Sequence, residues 1–454
     1  MGRLGCRAGT VNLRYRRGGR RERVVASSGG SPSAQPVRLL VTGGGTGGHT
    51  YPAVAVVRAV RSRLAGEGRE LAVLWAGAEA SLESRVAAGE GIVFAAVATG
   101  KLRRASNPLK MLSLANVRDL VRVPVGFLQA RAVVRRFAPD VVLATGGYVV
   151  VPVALAARSR RRPLVIHEQT VRLGLANRLL ARSATAVAVS SESTLPLLPA
   201  PARRSAVVTG NPVRAEVLRG RADAAAQALG WHIDPSLPVM YVTGGAQGSA
   251  QVNELVSAIL PWLVMRANVI HQCGAAAVDG LRDRGGSLPS ELGVRYLAIG
   301  FVGAELPDVL ALADVVVSRS GAGTIAELTA LGKAAVLVPL ATAAGDEQRH
   351  NARHLTQHGA AVALLDAITP DALREALDPL LADPGLREKL AQNARMLGRP
   401  DAAERLADVV LAAVGPPSRT RPRHARLPGQ TRAFAPPPRK WARRQRCWGW
   451  RRSC

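Results

Sequence analysis

Residues 39–60 read LLVTGGGTGGHTYPAVAVVRAV: an apolar β-branched run that closes on glycines and passes into an alanine- and valine-rich segment. This order spells a strand, a phosphate-type turn and a helix. Gly43, Gly45 and Gly48 satisfy the G-x-G-x-x-G of dinucleotide binding, yet His49 follows at once and has no place in that fingerprint. The pattern returns at residues 239–260, VMYVTGGAQGSAQVNELVSAIL, where Val242-Thr243-Gly244-Gly245 repeats Val41-Thr42-Gly43-Gly44.

Around each turn, short β-branched runs alternate with alanine-rich stretches: VRLLVT, LAVLWA, DVVLAT, PLVIHE and AVAVS before the repeat, NVIHQCG, VRYLAIGFV, DVVVS and AAVLVPL after it. Such alternation predicts parallel strands joined by crossover helices, with the sheet buried on both faces. The expected fold is therefore α/β, two tandem Rossmann-like, doubly wound domains facing a cleft. We assign 37–213 to the first domain and 214–397 to the second, with 398–415 packing back on the first as a helix. Ligands of such sheets bind at the carboxyl ends of the strands.

The net charge of +29 points to a nucleic-acid partner, but its distribution does not. Residues 1–36 carry eight Arg and one Glu, and 416–454 carry eleven Arg, one Lys and no acid, so the body between them holds only +10. Both ends lack periodic apolar residues and read as disordered basic extensions, 1–36 being either a targeting peptide or a functionless extension. No nucleic acid is expected. Three of the four cysteines lie in these ends, which implies no disulfide framework.

Several chemistries fail on spacing. A nicotinamide enzyme needs an acid about twenty residues after the glycines, and the nearest beyond the second strand is Glu79, 36 residues from Gly43. The chain has neither a G-x-x-x-x-G-K-[ST] nucleotide loop nor a D-x-D metal pair. His350, His354 and His358 share a helical face without a convergent cluster, and no metal is expected. The uncharged run 141–157 is broken by Gly146-Gly147 and Pro152, and is shorter than the about 20 residues of a membrane span.

In ADVVVSRSGAGTIAELTALGKAAVLVPL (313–340), a strand ends at Ser318 and a helix is expected near Thr324. Exposed amides over Ser320, Gly321, Ala322, Gly323 and Thr324 attract phosphate. Thr324 to Glu327 also reads as a capping box, in which Glu327 bonds only a backbone amide. Local sequence leaves both readings of Glu327 open.

Seven motifs in order, GGGTGGHTYPA (43–53), TGGYVVVP (145–152), HEQTVRLGLANR (167–178), GNPVR (210–214), GGAQGSAQVNE (244–254), SRSGAGTIAEL (318–328) and DEQRHNA (346–352), resemble the MurG family of bacterial peptidoglycan synthesis. The resemblance implies a GT-B glycosyltransferase without cofactor or metal. It implies transfer of N-acetylglucosamine from UDP-N-acetylglucosamine to lipid I, with inversion, to form lipid II. It puts Gly44, Gly45, Thr46, Gly47 and Gly48 on the acceptor's diphosphate, and makes His49 the candidate general base. A histidine that only orients the loop or the acceptor is the other reading of His49. The donor is expected to meet Thr46, Gly47, Gly48, Thr170, Asn177, Arg214, Gly245, Ala246, Gln247, Gly248, Ser249, Ser320 to Thr324, Glu327, Gln348 and Asn351. Glu327 would hold the ribose and Gln348 the sugar hydroxyls.

Three positions depart from the family pattern: Ala246 for serine, Thr170 for asparagine, and Glu347 for histidine or glutamine. A polyprenyl acceptor implies work at the cytoplasmic membrane face, as a peripheral protein. Residues 109–136 mix apolar side chains with Arg118, Arg122 and Arg131 as a docking surface, with Val121 and Phe127 as its expected contacts; packing of the same helix on its own sheet is the alternative. Two other functions remain: a GT-B transferase for another lipid such as diacylglycerol, and a nucleotide-sugar binder without turnover.

Overall fold

The computed structural model describes residues 35–100, 114–231, 233–340 and 346–415. The expectations for residues 1–34 and 416–454 lie outside it. Two parallel sheets organise the rest. The first runs β3-β2-β1-β4-β5-β6-β7 over Val37–Thr42 (β1), Leu71–Gly77 (β2), Val93–Ala96 (β3), Val141–Ala144 (β4), Leu164–Glu168 (β5), Ala186–Val189 (β6) and Ala206–Val208 (β7). The second runs β10-β9-β8-β11-β12-β13 over Val239–Thr243 (β8), Asn268–Gln272 (β9), Tyr296–Ile299 (β10), Val315–Ser318 (β11), Ala334–Leu337 (β12) and Val362–Ala363 (β13).

The central strands are apolar throughout because helices cover both faces. Leu39, Val41, Val141 and Leu143 enter one core of the first sheet, and their neighbours Leu40, Val142 and Ala144 enter the other. In the second sheet Met240 and Val242 face one core, Val239 and Tyr241 the opposite one. Alternate residues point to opposite faces, so a run without polar interruption requires burial on both.

In each sheet the strand order reverses beside the first strand, between β1 and β4 and between β8 and β11. The carboxyl ends of these strands form the crevice in which doubly wound sheets bind ligands. The glycine turns 43–48 and 244–249 lie there because each directly follows one of those strands. The chain passes between the sheets at 209–214 and returns near 398. Gly210 has φ +84° there, and a Cβ on it would lie 2.5 Å from Cβ of Arg399. The returning helix Ala402–Ala412 places Leu406, Ala407 and Val410 in the core of the first sheet.

Among the described residues no helix is long and apolar enough to cross a membrane. In the helix Leu114–Phe137, Phe127 is partly buried against the core while Val125 and Leu128 are exposed, so the outward apolar surface of this helix is carried more by Val125 and Leu128 than by Phe127. The side chain of Val121 lies outside the described residues. Helical geometry decides this: Gly126 faces inward, where a Cβ would sit 1.9 Å from the carbonyl oxygen of Ala98, and Phe127 is its neighbour on that side.

Candidate active site

The first turn is held by contacts that local sequence does not show. Gly43 has no room for a Cβ, which would lie 1.8 Å from Oγ1 of Thr145. The indole Nε1 of Trp75 donates to the Gly43 carbonyl at 3.2 Å. The wholly buried Glu83 accepts from the amides of Gly45 (3.1 Å) and Ala78 (3.3 Å). The amide of Gly44 donates to the carbonyl of Gly146. Gly44 and Gly45 thus spend their amides inside the protein. Thr46 caps the helix Gly47–Gly66 without a side-chain bond, and Gly47 and Gly48 form its first turn, where N–H groups lack intrahelical acceptors.

His49 occupies the third position of that helix, and its ring lies against Gly146 and Gly147. Its Nδ1 is 3.0 Å from the carbonyl oxygen of Thr145 and 3.0 Å from Oε1 of Gln169. Both partners are acceptors, so in the neutral ring Nδ1 carries the proton and Nε2 the lone pair. Gly146 and Gly147, at φ +109° and +83°, make room for the ring. A Cβ on Gly146 would meet Nδ1 at 2.8 Å.

In the 167–178 segment, the organising group is Glu168. It accepts from the amide of Thr170 (3.1 Å), Oγ1 of Thr170 (2.8 Å), the amide of Gly174 (2.9 Å) and Nδ2 of Asn177 (3.0 Å). Thr170 and Asn177 therefore build the turn, and both are buried. Across the cleft, Asn351 accepts from the amide of Val171 at 3.4 Å and donates to the Ser320 carbonyl at 3.2 Å. The hydroxyl of Ser320 donates to the Gln348 carbonyl at 2.7 Å, and Oε1 of Gln348 accepts from Leu340 at 3.0 Å.

The second turn is held by neutral groups. The Thr243 hydroxyl accepts from the amide of Gly245 at 3.0 Å, and Nε2 of Gln272 donates to the Gly245 carbonyl at 2.8 Å. Gly248 lies under the Cys273 carbonyl, 1.9 Å from where its Cβ would be. Ser249 caps the helix Ala250–Ala258 with a hydroxyl that makes no capping bond, and Ala246 and Gln247 are exposed. Arg319 approaches this turn, its Nη2 3.1 Å from the position of a Gly245 Cβ, and burial lowers its pKa.

The helix after Ser318 begins at Ala322, with Gly321 as its N-cap, two residues before the expected start. Thr324 is then inside the helix and Glu327 is in its second turn, which removes the capping box. Glu327 instead accepts from Nη2 of Arg214 at 3.0 Å. Burial pushes its carboxyl up, and Arg214 opposes the shift. The Arg214 guanidinium stands 5.3 Å over the ring of Tyr51, two residues beyond His49. Glu347 also meets the first half: burial raises its pKa, His49 lowers it, and Glu168 raises it.

Tertiary contacts thus add Glu83, His167, Glu168, Gln169 and Arg319 to the residues that sequence singled out. His167, Glu168, Gln169 and Arg319 lie inside the quoted motifs, whereas Glu83 lies in none of them and carried no sequence signal. The two halves thus supply an imidazole with no bonded partner at one ring nitrogen, two helix starts from the second sheet, two guanidinium groups and a buried carboxyl, with Val171–Asn351 and Arg214–Tyr51 as contacts between them. This set can take a proton at one end and hold an anion with a polar partner at the other.

Residues 39–189 match the glycosyltransferase family 28 N-terminal domain, and residues 239–406 match its C-terminal domain. The chain is 34% identical over 377 residues to the UDP-N-acetylglucosamine–N-acetylmuramyl-(pentapeptide) pyrophosphoryl-undecaprenol N-acetylglucosamine transferase of Listeria welshimeri, covering 83% of this chain and 99% of that one. The transferase of the same name from Treponema denticola is 34% identical over 383 residues, covering 81% and 93%. The crystal structure of MurG from Acinetobacter baumannii superposes with a TM-score of 0.64 at 27% identity, over 83% of this chain and all of that one. The calicheamicin glycosyltransferase CalG4, at 18% identity and a TM-score of 0.57 over 84% of this chain and all of that one, shares the fold.

Proposed function

This chain belongs to the MurG family within glycosyltransferase family 28, and from that premise we propose that it transfers N-acetylglucosamine from UDP-N-acetylglucosamine to lipid I, the undecaprenyl-diphosphate-linked N-acetylmuramoyl pentapeptide, to form lipid II. One observation carries the reading: contacts between the two halves, Val171 to Asn351 and the Arg214 guanidinium over Tyr51 beside His49, bring the turn that bears His49 against the half that bears Arg214 and Glu327. An acceptor hydroxyl gives its proton to Nε2 as its oxygen bonds to the anomeric carbon. The bond from that carbon to the diphosphate breaks, and UDP leaves with the electron pair. Charge growing on the leaving diphosphate meets amides at the starts of the helices Ala250–Ala258 and Ala322–Leu331, with Arg214 and Arg319 beside them. Glu327 takes the ribose hydroxyls and Gln348 the sugar. Gly47 and Gly48 take the acceptor's diphosphate.

The acceptor sets the location. A polyprenyl tail requires the cytoplasmic membrane face, and exposed Val125 and Leu128, with the exposed Arg122, Arg131 and Arg135 on the same helix, match an anionic bilayer in chemistry. The full chain, supplied with UDP-N-acetylglucosamine and either lipid I or diacylglycerol, should release UDP only with lipid I. Turnover with diacylglycerol alone would reassign the acceptor, and none with either would leave a binding protein.

A further inference from the structure

We propose that Gln169 is the positioning residue for His49, and that it is itself locked by His167 and the carbonyl of Gly210. The inference rests on His49 as the base of the proposed reaction. The chain of bonds begins at the crossing between the sheets, where Nε2 of His167 lies 3.0 Å from the Gly210 carbonyl oxygen. A carbonyl only accepts, so this nitrogen bears the proton and Nδ1 of His167 is the lone pair. That lone pair is 3.2 Å from Nε2 of Gln169, which also donates to the Thr145 carbonyl. Two acceptors on one side fix the amide with its NH2 toward them, and its Oε1 toward His49 Nδ1 at 3.0 Å.

Reversing the amide would set its oxygen against the Thr145 carbonyl and the His167 lone pair, two repulsive contacts in a buried site. With the amide fixed, its Oε1 joins the Thr145 carbonyl as a second acceptor for His49 Nδ1, and in the neutral ring Nε2 is left without a proton for the acceptor hydroxyl. His167 suits the role because it stays neutral: it is wholly buried, and burial lowers its pKa to about 4. A charged imidazole there would put a proton on Nδ1 and remove the lone pair that orients Gln169. Gln169 itself is buried and uncharged, so it sets the tautomer without adding a negative charge beside the base. Since Gly210 belongs to the segment joining the two sheets, the state of the base is anchored where the halves meet.

The test is the ring-nitrogen spectrum of the full chain labelled with 15N-histidine, at a pH where His49 is neutral, with the His49 signals identified by their loss in His49→Gln. The wild type should show a proton-bearing Nδ1 and a bare Nε2. Gln169→Met, of similar volume but unable to bond, leaves the Thr145 carbonyl as the one acceptor at Nδ1, so part of the ring should shift to the Nε2-protonated tautomer and kcat should fall by about 10-fold with unchanged affinity for UDP. His167→Leu should move both readouts in the same direction. A wild-type His49 protonated at Nε2 overturns the proposal without recourse to any variant, as does Gln169→Met with wild-type tautomer and kcat. The spectrum does not depend on turnover, so a wild type inactive on lipid I sinks the functional reading alone.

Discussion

The two glycine turns share the sequence Val-Thr-Gly-Gly and the same place at the reversal of strand order, yet they present opposite electrostatic surroundings. The first is tied down by a carboxylate, Glu83, which takes the Gly45 amide. The second is tied down by the Thr243 hydroxyl and the Gln272 amide, with the Arg319 guanidinium alongside. An anion approaching Gly44 and Gly45 meets spent amides and a carboxylate, whereas one approaching 245–249 meets neutral groups and a cation. The same four residues at the same place in each sheet are therefore set in different surroundings: on the proposed function the second turn suits the donor's diphosphate, and the first supports the base and offers anion contacts from Gly47 and Gly48.

The comparison breaks most visibly at His49. If chemistry resides in the first half and donor binding in the second, His49→Ala should lower turnover by about 10²-fold to 10⁴-fold while the UDP dissociation constant stays put. A variant that weakens UDP equally would place the donor against the first turn instead. Measuring kcat beside calorimetric UDP affinity separates the two.

Glu327 probes the other half. Two ribose hydroxyls donating to its carboxylate should make UDP bind about tenfold to a hundredfold more tightly than its 2′-deoxy form. Glu327→Gln should erase most of that difference and leave His49-dependent chemistry intact at saturating donor. Equal binding of the two nucleotides by the wild type would remove Glu327 from the ribose site.

Acid should strike both halves alike. His167 in the first and His271 in the second are both buried, and burial brings each to a pKa of about 4. Both are neutral when folded and bind a proton once unfolded. Their contribution is therefore complete above the unfolded pKa near 6.5 and is lost as pH falls from there toward 4. At pH 5 the loss should be about 2 kcal/mol for each. Denaturant midpoints at pH 7.5 and 5, compared with those of His167→Gln and His271→Gln, check whether the two imidazoles share the loss.

The smallest effect sharpens the contrast between the turns. Glu83→Gln keeps an oxygen for Gly45 but turns an NH2 toward the Ala78 amide, which should cost about 1–2 kcal/mol of stability. UDP affinity should not change if, as proposed, the donor lies on the other turn. A changed UDP affinity would show that the two turns act as one anion site.

Much of this was legible in residues 37–415. The repeated Val-Thr-Gly-Gly and the alternation of β-branched and alanine-rich runs announce two doubly wound sheets, because strand and helix periodicities are local and glycine marks the turn. His49 stood out by type and place, whereas Arg214 and the ribose role of Glu327 came from the resemblance to the family. The reading failed where a helix start was judged from side chains. Thr324 to Glu327 resembles a capping box, but the helix begins at Ala322 under a glycine cap, so Glu327 turns to Arg214. Phe127 is half-buried where Val125 and Leu128 are exposed, since which apolar residue of a helix faces outward depends on what packs beneath it.

What sequence alone determined, then, is the pair of sheets, the position of the cleft at their carboxyl ends and the kinds of groups available there. Tertiary structure decided which of those groups are spent and which are free. Gly45 meets Glu83 across 38 residues, and His49 meets Thr145 across 96 and Gln169 across 120. The physical reason is that a buried polar group must find a partner, and strand order, which no local pattern encodes, determines which partner lies within reach.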